Sequence, residues 1–235
     1  MIKHTGAVVL AAGSGSRMQS KIKKQYLEIE GKPLIYYALQ AFEQSSVEQV
    51  VLVAAPGDED YCRREIVETY QFHKVKKIIG GGKERYHSVF YGLQQLDLCD
   101  YVLIHDGARP FVTPYMIERA LDGARTYQAC VVGMPVKDTI KISDSNGYAE
   151  YTPNRKSVWM IQTPQAFSFP LIREAYEKLL QQTEVSVTDD AMAVETFMNK
   201  KVKLIPGSYY NIKITTPEDL KTAEVFLKDQ SYKEF

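Results

Sequence analysis

The sequence lacks several features that mark common classes of protein. Its 29 lysine and arginine residues balance 29 acidic residues, so no overall field would attract nucleic acid or an anionic membrane. Its three cysteines, Cys62, Cys99 and Cys130, are far apart and lack the paired spacing of a zinc site or a disulfide framework. We therefore expect buried thiols in a reducing cytosol, and any bound anion must be held by a local basic cluster.

Long apolar runs are also absent. No stretch approaches the ~18 apolar residues that a membrane-crossing helix requires. The run from Gly6 to Gly13, after Lys3 and His4, resembles a short signal peptide. Cleavage there would remove the glycine-rich loop that follows, so a buried first strand is the better interpretation. We expect a soluble, cytoplasmic protein that binds neither membrane nor nucleic acid.

The sequence does contain a regular alternation of short apolar runs with amphipathic stretches. Continuous apolar runs such as Val50–Val53 and Tyr101–Ile104 are typical of parallel strands that helices cover on both faces. The pattern predicts strands at 6–12, 49–55, 75–79, 101–105, 129–135, 201–205 and 209–214, and helices at about 33–45, 58–71, 84–96, 114–127, 170–182, 188–198 and 217–228. The predicted fold is α/β, with a mostly parallel, doubly wound sheet in one domain spanning 1–235.

The alternation of strands and helices breaks at about 137–160. This segment alternates in the manner of strands around a turn at 143–147, which predicts a hairpin that leaves the main sheet. Such a hairpin is poorly stable alone and needs a partner surface. From the residues alone, it could fold back on its own domain or reach another subunit.

The loop after the first strand carries the strongest chemical signal. Residues 11–18 read Ala-Ala-Gly-Ser-Gly-Ser-Arg-Met, and the two glycines allow backbone N–H groups to approach an oxyanion. Arg17 and Lys24 add two cations, which suit the charge that develops on a transferring phosphoryl group. A dinucleotide fingerprint would need glycine at Met18, and the lysine-bearing P-loop pattern is absent. The loop therefore predicts a different kind of phosphate cradle.

Two further loops follow strands and give weaker signals. Glycines at 80–82 could expose backbone groups to a base edge, with Arg85 and Ser88 reaching back from one helical face, although a flexible turn explains them equally well. Asp106 could bind a metal or a substrate hydroxyl, or simply pair with Arg109. His105 is better explained as a satisfied core histidine. Because ligands bind at the carboxyl ends of strands in open α/β sheets, the three loops should converge on one crevice.

A dispersed set of polar residues completes the candidates. Each group offers a cation or hydroxyl suited to a polyol phosphate, but spacing alone does not gather them. They are Lys137–Thr139, Asn154-Arg155, Gln162–Gln165, Thr188–Asp190 and Asn211–Thr215. Thr188, taken by itself, is better explained as a helix N-cap.

Together these motifs resemble the 2-C-methyl-D-erythritol 4-phosphate cytidylyltransferase family. The resemblance runs from about Gly6 to about Leu227. Its specific pieces are the first loop with Arg17, Lys24–Tyr26, Gly81-Gly82 with Arg85 and Ser88, His105–Pro110, Thr163–Gln165, Thr188–Ala191 and Asn211–Lys213. Lys83 departs from the family, which often has a small or acidic residue in that loop.

The resemblance implies a Rossmann-like nucleotidyltransferase fold and a homodimer. The hairpin would be an arm that embraces a second subunit, and Arg155 would serve the neighbour's active site. The implied catalytic residues are Arg17, Lys24, Arg155 and Lys213. The implied CTP contacts are Ala11, Ala12, Gly13, Gly15, Gly82, Arg85 and Ser88. The implied contacts to the second substrate are Asp106, Arg109, Thr139, Thr163 and Thr188.

The implied reaction transfers CMP from CTP to 2-C-methyl-D-erythritol 4-phosphate, giving 4-diphosphocytidyl-2-C-methyl-D-erythritol and pyrophosphate in the non-mevalonate isoprenoid pathway. The attacking phosphate has a second pKa near ~6 and is largely dianionic at neutral pH, so no protein base is required. The missing Ser-His-Asp or Cys-His signature is consistent with this chemistry. The implied cofactor is Mg²⁺, bound mainly by the triphosphate and at most weakly by Asp106.

Three alternatives share parts of the pattern. A ribitol 5-phosphate cytidylyltransferase, which forms CDP-ribitol, resembles this family in fold and loops, but Gly107-Ala108 and Asp189–Ala191 look more like the methylerythritol enzymes. An NAD-dependent oxidoreductase would share the α/β alternation, but Met18 counts against it. A nucleotide-binding regulator without turnover would be expected to lose Arg17, Lys24 or Lys213, and all three are present.

Overall fold

The structure is a computed structural model that describes residues 4–13, 15, 18, 22–182 and 186–229. The strands are β1 Thr5–Ala11, β2 Glu28–Ile29, β3 Lys32–Pro33, β4 Gln49–Ala54, β5 Val75–Gly80, β6 Tyr101–Asp106, β7 Ala129–Pro135, β8 Ile142–Ser143, β9 Ala149–Tyr151, β10 Trp159–Ser168 and β11 Lys203–Pro206. The helices are α1 Leu34–Gln44, α2 Glu59–Tyr61, α3 Arg85–Leu93, α4 Pro114–Tyr127, α5 Phe169–Leu179, α6 Asp190–Met198 and α7 Pro217–Asp229. A π-helical segment, Cys62–Glu68, continues α2.

A seven-stranded sheet in the order β11-β7-β10-β6-β1-β4-β5 forms the centre of the molecule. Its neighbours pair in parallel except for β10, which runs antiparallel to both β6 and β7. The strand that ends in His105 and Asp106 lies directly beside β1. The predicted α/β class with a mostly parallel, doubly wound, Rossmann-like sheet is confirmed. Within the described residues, no helix is long and apolar enough to cross a membrane.

Both faces of the sheet are buried at its centre, which explains why β1, β4 and β6 show no polar alternation. On one face Val9 of β1 belongs to a core with Leu39 of α1 and Leu121 of α4. On the other face Val8 belongs to a core with Leu93 of α3 and Tyr176 of α5. Successive residues of one strand thus pack into the cores on opposite faces of the sheet.

Strand β10 was not predicted. Its polar residues were assigned to the dispersed set, yet Gln162, Thr163 and Gln165 are buried and hydrogen-bonded in the middle of the sheet. The pairing with β7 is irregular between Ile161 and Gln165, where the chain contains Pro164. A proline and several polar side chains hide a central strand from pattern analysis, because tertiary hydrogen bonds satisfy them.

The predicted strand at 209–214 is wrong. This segment forms no strand and is instead hydrogen-bonded to β10 and to the loop after β6. The Asn211 side-chain amide donates to the Thr163 carbonyl at 2.9 Å, and the Ile214 N–H donates to the Ala108 carbonyl at 2.8 Å. Its apolar residues face a small core with Phe111 rather than a sheet face.

The predicted hairpin is present. Strands β8 and β9 pair with each other and not with the main sheet, around a turn in which Gly147 has φ +85°. Every residue from 141 to 152 is exposed, including the aromatic rings of Tyr148 and Tyr151. At its base the Val136 N–H donates to the Val158 carbonyl at 3.1 Å. We call residues 137–158 the arm.

Candidate active site

A cavity of about 400 Å³ opens at the carboxyl ends of β1, β5 and β6. The three glycine- and charge-bearing loops converge there, as the topology predicted. Residues that line it are Leu10, Ala11, Ala12, Gly13, Lys24, Gln25, Gly82, Lys83, Glu84, Arg85, Ser88, Asp106, Ala108 and Lys213. A cleft in this position of an open α/β sheet is where a ligand is expected.

The glycine loop after β5 is folded tightly rather than loosely. A Cβ at Gly81 would lie 2.4 Å from the Cβ of Ala12 and 2.8 Å from Oγ of Ser88, so only glycine fits between the two loops. The Gly82 N–H donates to Oγ of Ser88 at 3.0 Å, which closes the loop onto α3. Ser88 therefore shapes the wall of the cavity by holding Gly82.

Lys24 and Gln25 lie in a short 3₁₀ turn, Lys24–Tyr26, at the mouth of the β1 loop. The buried Gln25 amide donates to the Ala11 carbonyl at 2.7 Å, which ties the turn to the end of β1. Gly15 has φ +66°, and a Cβ there would lie 3.2 Å from the Cβ of Lys24. The Lys24 ammonium donates to the Ile214 carbonyl at 3.1 Å. Arg17 lies outside the described residues.

Asp106 lines the cavity and binds two of its cationic side chains. Its Oδ2 lies 2.7 Å from Nζ of Lys213, and its Oδ1 accepts from Nε of Arg85 at 3.3 Å. Burial alone would raise the pKa of Asp106, but the charges of Arg85 and Lys213 outweigh burial and hold the pKa well below its usual range. Asp106 is therefore a carboxylate at any physiological pH, and it can accept a hydrogen bond but cannot donate one.

Arg85 is held at both ends. Its Nη1 and Nη2 each donate at 2.8 Å to the carboxylate of Asp190, while Nε reaches Asp106. Burial opposes the charge of Arg85, but the two carboxylates outweigh it and raise its pKa well above the usual value. The guanidinium is a fixed cation in the cavity wall.

The segment after β11 places Lys213. Ile214 is fully buried against Phe111 and Ala108 and donates its N–H to the Ala108 carbonyl at 2.8 Å. Helix α7 covers this small core with Leu227. Lys213 therefore projects into the cavity from a backbone that is anchored on one side by hydrogen bonds and on the other by apolar packing.

His105 lies behind the cavity in a chain of hydrogen bonds. It is fully buried, and burial lowers its pKa to about 4. Its Nε2 lies 3.2 Å from the Arg109 carbonyl and so carries the proton, which leaves Nδ1 to accept from the Thr163 hydroxyl at 3.0 Å. The Thr163 oxygen in turn accepts from the Asp106 N–H at 3.0 Å. His105 is thus a neutral core histidine, as its sequence context indicated.

The depressed pKa of His105 gives a pH dependence of stability. In the unfolded chain the pKa of His105 is about 6.5. Between that pH and about pH 4, the unfolded state therefore binds a proton on His105 and the folded state does not. The stabilisation is fully present above about pH 6.5 and is lost as the pH falls towards 4. We expect the free energy of unfolding to drop by about 2 to 3 kcal/mol from this residue between pH 7.5 and pH 4.5 in urea titrations. His105→Gln, which keeps a donor for the Arg109 carbonyl, should flatten that part of the profile, and an unchanged slope in the variant would contradict the assignment.

The comparison with known proteins agrees with this geometry. The family model for 2-C-methyl-D-erythritol 4-phosphate cytidylyltransferase matches residues 5–229. The chain belongs to this family.

Named relatives and solved structures support the same assignment. The 2-C-methyl-D-erythritol 4-phosphate cytidylyltransferase of Lachnospira eligens is 52% identical over 94% of this chain and 98% of that protein. The one of Clostridium kluyveri is 48% identical over 98% and 100%. The crystal structure of 4-diphosphocytidyl-2C-methyl-D-erythritol synthase from Anaerococcus prevotii superposes with a TM-score of 0.85 at 37% identity, covering 96% of each chain. The predicted family, cytidylyltransferase class and methylerythritol assignment are confirmed over the ribitol alternative.

Several residues expected from the family resemblance lie away from the cavity of their own chain. Arg109 donates to the Asn211 carbonyl at 2.8 Å and does not form the pair with Asp106 that was considered. Thr163 is buried under Asp106. Thr139 is exposed at the start of the arm. Arg155 is exposed on the arm and donates to the Lys137 carbonyl at 3.0 Å.

Thr188 is also exposed, and the helix N-cap assigned to it is displaced by one residue. The N-cap of α6 is Asp189, whose carboxylate accepts from the Met192 N–H at 2.9 Å. The first helical residue, Asp190, is fully buried. The sequence motif contained Asp190, but no pattern in the chain indicated that its partner would be Arg85.

The described residues contain no group of three or more histidine, cysteine or acidic side chains that could hold a metal ion. Asp106, the one acidic candidate from the sequence, already has one oxygen on Arg85 and the other on Lys213.

Proposed function

We propose that this cavity transfers CMP from CTP to the phosphate of 2-C-methyl-D-erythritol 4-phosphate. The products are 4-diphosphocytidyl-2-C-methyl-D-erythritol and pyrophosphate. One observation carries the proposal: a glycine-lined cradle at the end of β1 shares a single cavity with Lys24, Lys213 and the carboxylate of Asp106. Cations and backbone N–H groups suit phosphates, and a permanent carboxylate acceptor suits polyol hydroxyls.

The nucleotide half of the proposed site lies between the β1 loop and the glycine loop. Backbone groups of Ala11, Ala12, Gly13, Gly15 and Gly82 would contact CTP, with Ser88 holding the loop in shape. The two loops pack closely enough to form one wall because Gly81 has no Cβ, which would lie 2.4 Å from the Cβ of Ala12. Arg85 lines the same wall, but two carboxylates already hold its guanidinium.

The second half of the proposed site would bind the polyol phosphate. Lys213 would contact its phosphate and Asp106 its hydroxyls. Thr163 supports Asp106 through the hydrogen bond from the Asp106 N–H. Arg109 supports the segment that carries Lys213 through the Asn211 carbonyl. Thr139, Thr188 and Arg155 would complete the site when both substrates and a second subunit are present.

In the proposed reaction an oxygen of the polyol phosphate attacks the α-phosphorus of CTP. A bond forms between that oxygen and the α-phosphorus, the bond from the α-phosphorus to the bridging oxygen of the β-phosphate breaks, and pyrophosphate leaves. The nucleophile is already a dianion, so the neutral, buried His105 is not needed as a base. Two anions must approach each other, and Lys24, Lys213 and Arg17 would offset their repulsion.

Mg²⁺ belongs to the proposal as an ion bound by the triphosphate oxygens rather than by protein side chains. When bound it would neutralise part of the triphosphate charge. The protein's own contribution is the placement of Lys24 and Lys213 beside the cradle.

The arm and the cellular location complete the proposal. The exposed rings of Tyr148 and Tyr151 suit burial against a second copy of the chain, and Arg155 would enter the partner's active site. The cysteines are unpaired, and Cys62 and Cys130 are buried, which suits a cytoplasmic enzyme.

Pyrophosphate release tests the reaction directly. The protein is incubated with CTP and Mg²⁺ and either 2-C-methyl-D-erythritol 4-phosphate or D-ribitol 5-phosphate. We expect kcat/KM to favour the first by at least about 10-fold, because Asp106 must match the polyol hydroxyls. Turnover with ribitol phosphate alone would move the protein to a different polyol with its mechanism intact. If neither polyol phosphate gave pyrophosphate release, the protein would be a nucleotide-binding protein without turnover.

A further inference from the structure

Asp190 is a buried carboxylate that binds Arg85, one of the residues that line the active-site cavity. It is fully buried, whereas the side chain of Arg85 is 30% exposed and that of Lys213 is 37% exposed. Its carboxylate accepts both terminal nitrogens of Arg85 and the hydroxyl of Tyr176. Asp190 is also the first residue of α6, where the helix dipole favours a negative charge.

The four charges form one chain from the interior to the cavity. Asp190 binds the two terminal nitrogens of Arg85, the Nε of Arg85 binds one oxygen of Asp106, and Lys213 binds the other. Two carboxylates and two cations sum to zero.

The planar guanidinium of Arg85 fixes the orientation of the groups that it binds. A fork that is fixed on Asp190 by two parallel bonds also fixes the direction of the Nε–H, because all three nitrogens lie in one plane. That direction determines where Oδ1 of Asp106 can accept, and hence where Oδ2 meets the ammonium of Lys213. Without the fork, the partly exposed Arg85 could turn and bind both oxygens of Asp106, which would displace Lys213.

We propose that Asp190 is a positioning residue for the polyol-phosphate half of the site, acting through Arg85 on Asp106 and Lys213. The inference rests on the proposed function, and it assigns Arg85 to the polyol side rather than to CTP. Asp190 touches neither substrate. Its role is to prevent Arg85 from competing with Lys213 for Asp106.

Asp190→Asn tests this role, since it keeps the shape and removes the charge. We expect KM for 2-C-methyl-D-erythritol 4-phosphate to rise by about 10- to 100-fold, while KM for CTP changes by less than about 3-fold. Steady-state assays that vary one substrate at a time separate the two constants. The wild-type protein in the same assay checks the proposed function, so inactivity of the wild type is distinguishable from failure of this inference.

Tyr176→Phe is the matched control. It removes the third hydrogen bond to Asp190 and leaves the fork to Arg85 in place. If Asp190 acts through Arg85, this variant loses stability but keeps both KM values within about 2-fold of the wild type. Equal effects of Tyr176→Phe and Asp190→Asn on the polyol KM would mean a merely structural role and would overturn the inference.

Arg85→Lys changes the partner of Asp190 instead of Asp190 itself. It tests the same interaction if Asp190→Asn does not fold. Lysine keeps the charge, but a single ammonium cannot replace the planar fork on Asp190 and the Nε bond to Asp106. We expect the same selective rise in the polyol KM. An unchanged polyol KM in a folded variant, or a rise confined to the KM for CTP, would overturn the proposal.

Discussion

Lys24→Ala is expected to lower kcat by about 100- to 1000-fold, because it removes a fixed cation from the place where phosphoryl charge would develop. The side chain lies between the β1 loop and the Ile214 carbonyl, at the mouth of the cradle. The loss should be in turnover rather than in folding, since the rest of the 3₁₀ turn stays anchored through Gln25. We expect the free energy of unfolding to change by less than about 1 kcal/mol.

Lys23→Ala is the control at the neighbouring position. The Lys23 ammonium pairs with Asp58 at 2.6 Å, outside the active-site cavity, so its removal should leave kcat within about 3-fold of the wild type. Assays of pyrophosphate release compare kcat of the two variants, and urea unfolding compares their free energies of unfolding. Near-normal turnover in Lys24→Ala would refute the proposed mechanism, as it would in Arg17→Ala.

The second large effect concerns the arm. Arg155→Ala should lower kcat by about 100-fold although Arg155 lies on an exposed hairpin, because the residue would complete the active site of the other subunit. Lys156→Ala, in the same turn, should remain active. The sharper experiment mixes Arg155→Ala with Lys24→Ala after unfolding and refolding the two inactive variants together.

The expected recovery follows from counting sites. In random dimers of the two variants, half are mixed, and each mixed dimer has one site with an intact Lys24 and a partner's intact Arg155. About a quarter of all sites, and of wild-type activity, should return. If Arg155 served its own subunit, every site would lack one residue and the mixture would stay inactive. Sedimentation of the refolded mixture confirms that dimers have formed.

Much of the fold could be predicted because its strands are apolar and its helices amphipathic. The first strand, for example, runs from Thr5 to Ala11 where apolar residues indicated 6–12. The prediction fails where tertiary contacts replace local pattern. Strand β10 contains Pro164 and several polar residues, and hydrogen bonds from Gln162 and Gln165 to distant parts of the chain hold these polar residues in the sheet.

The opposite error at 209–214 has the same physical origin. Alternating apolar residues indicated a strand, but Ile212 and Ile214 pack against the small core beneath α7 instead. The candidate site shows a similar division. Loop glycines and cations could be found from local sequence, whereas Asp190 acquires its partner, Arg85, only when α3 and α6 meet.

The position of β10 has a consequence for the order in which the chain can assemble. Strands β1, β4, β5 and β6 come from the first 106 residues, but β7 pairs only with β10 and β11 in the sheet. During synthesis from the N-terminus, the edge of β6 stays open and β7 waits until β10 has been made. Closure of the arm pairs β10 with β7, and β10 then joins β7 and β11 to the half of the sheet that ends at β6. Because doubling the length of such a loop costs only about 0.6 kcal/mol, the arm can change in length during evolution with little loss of stability.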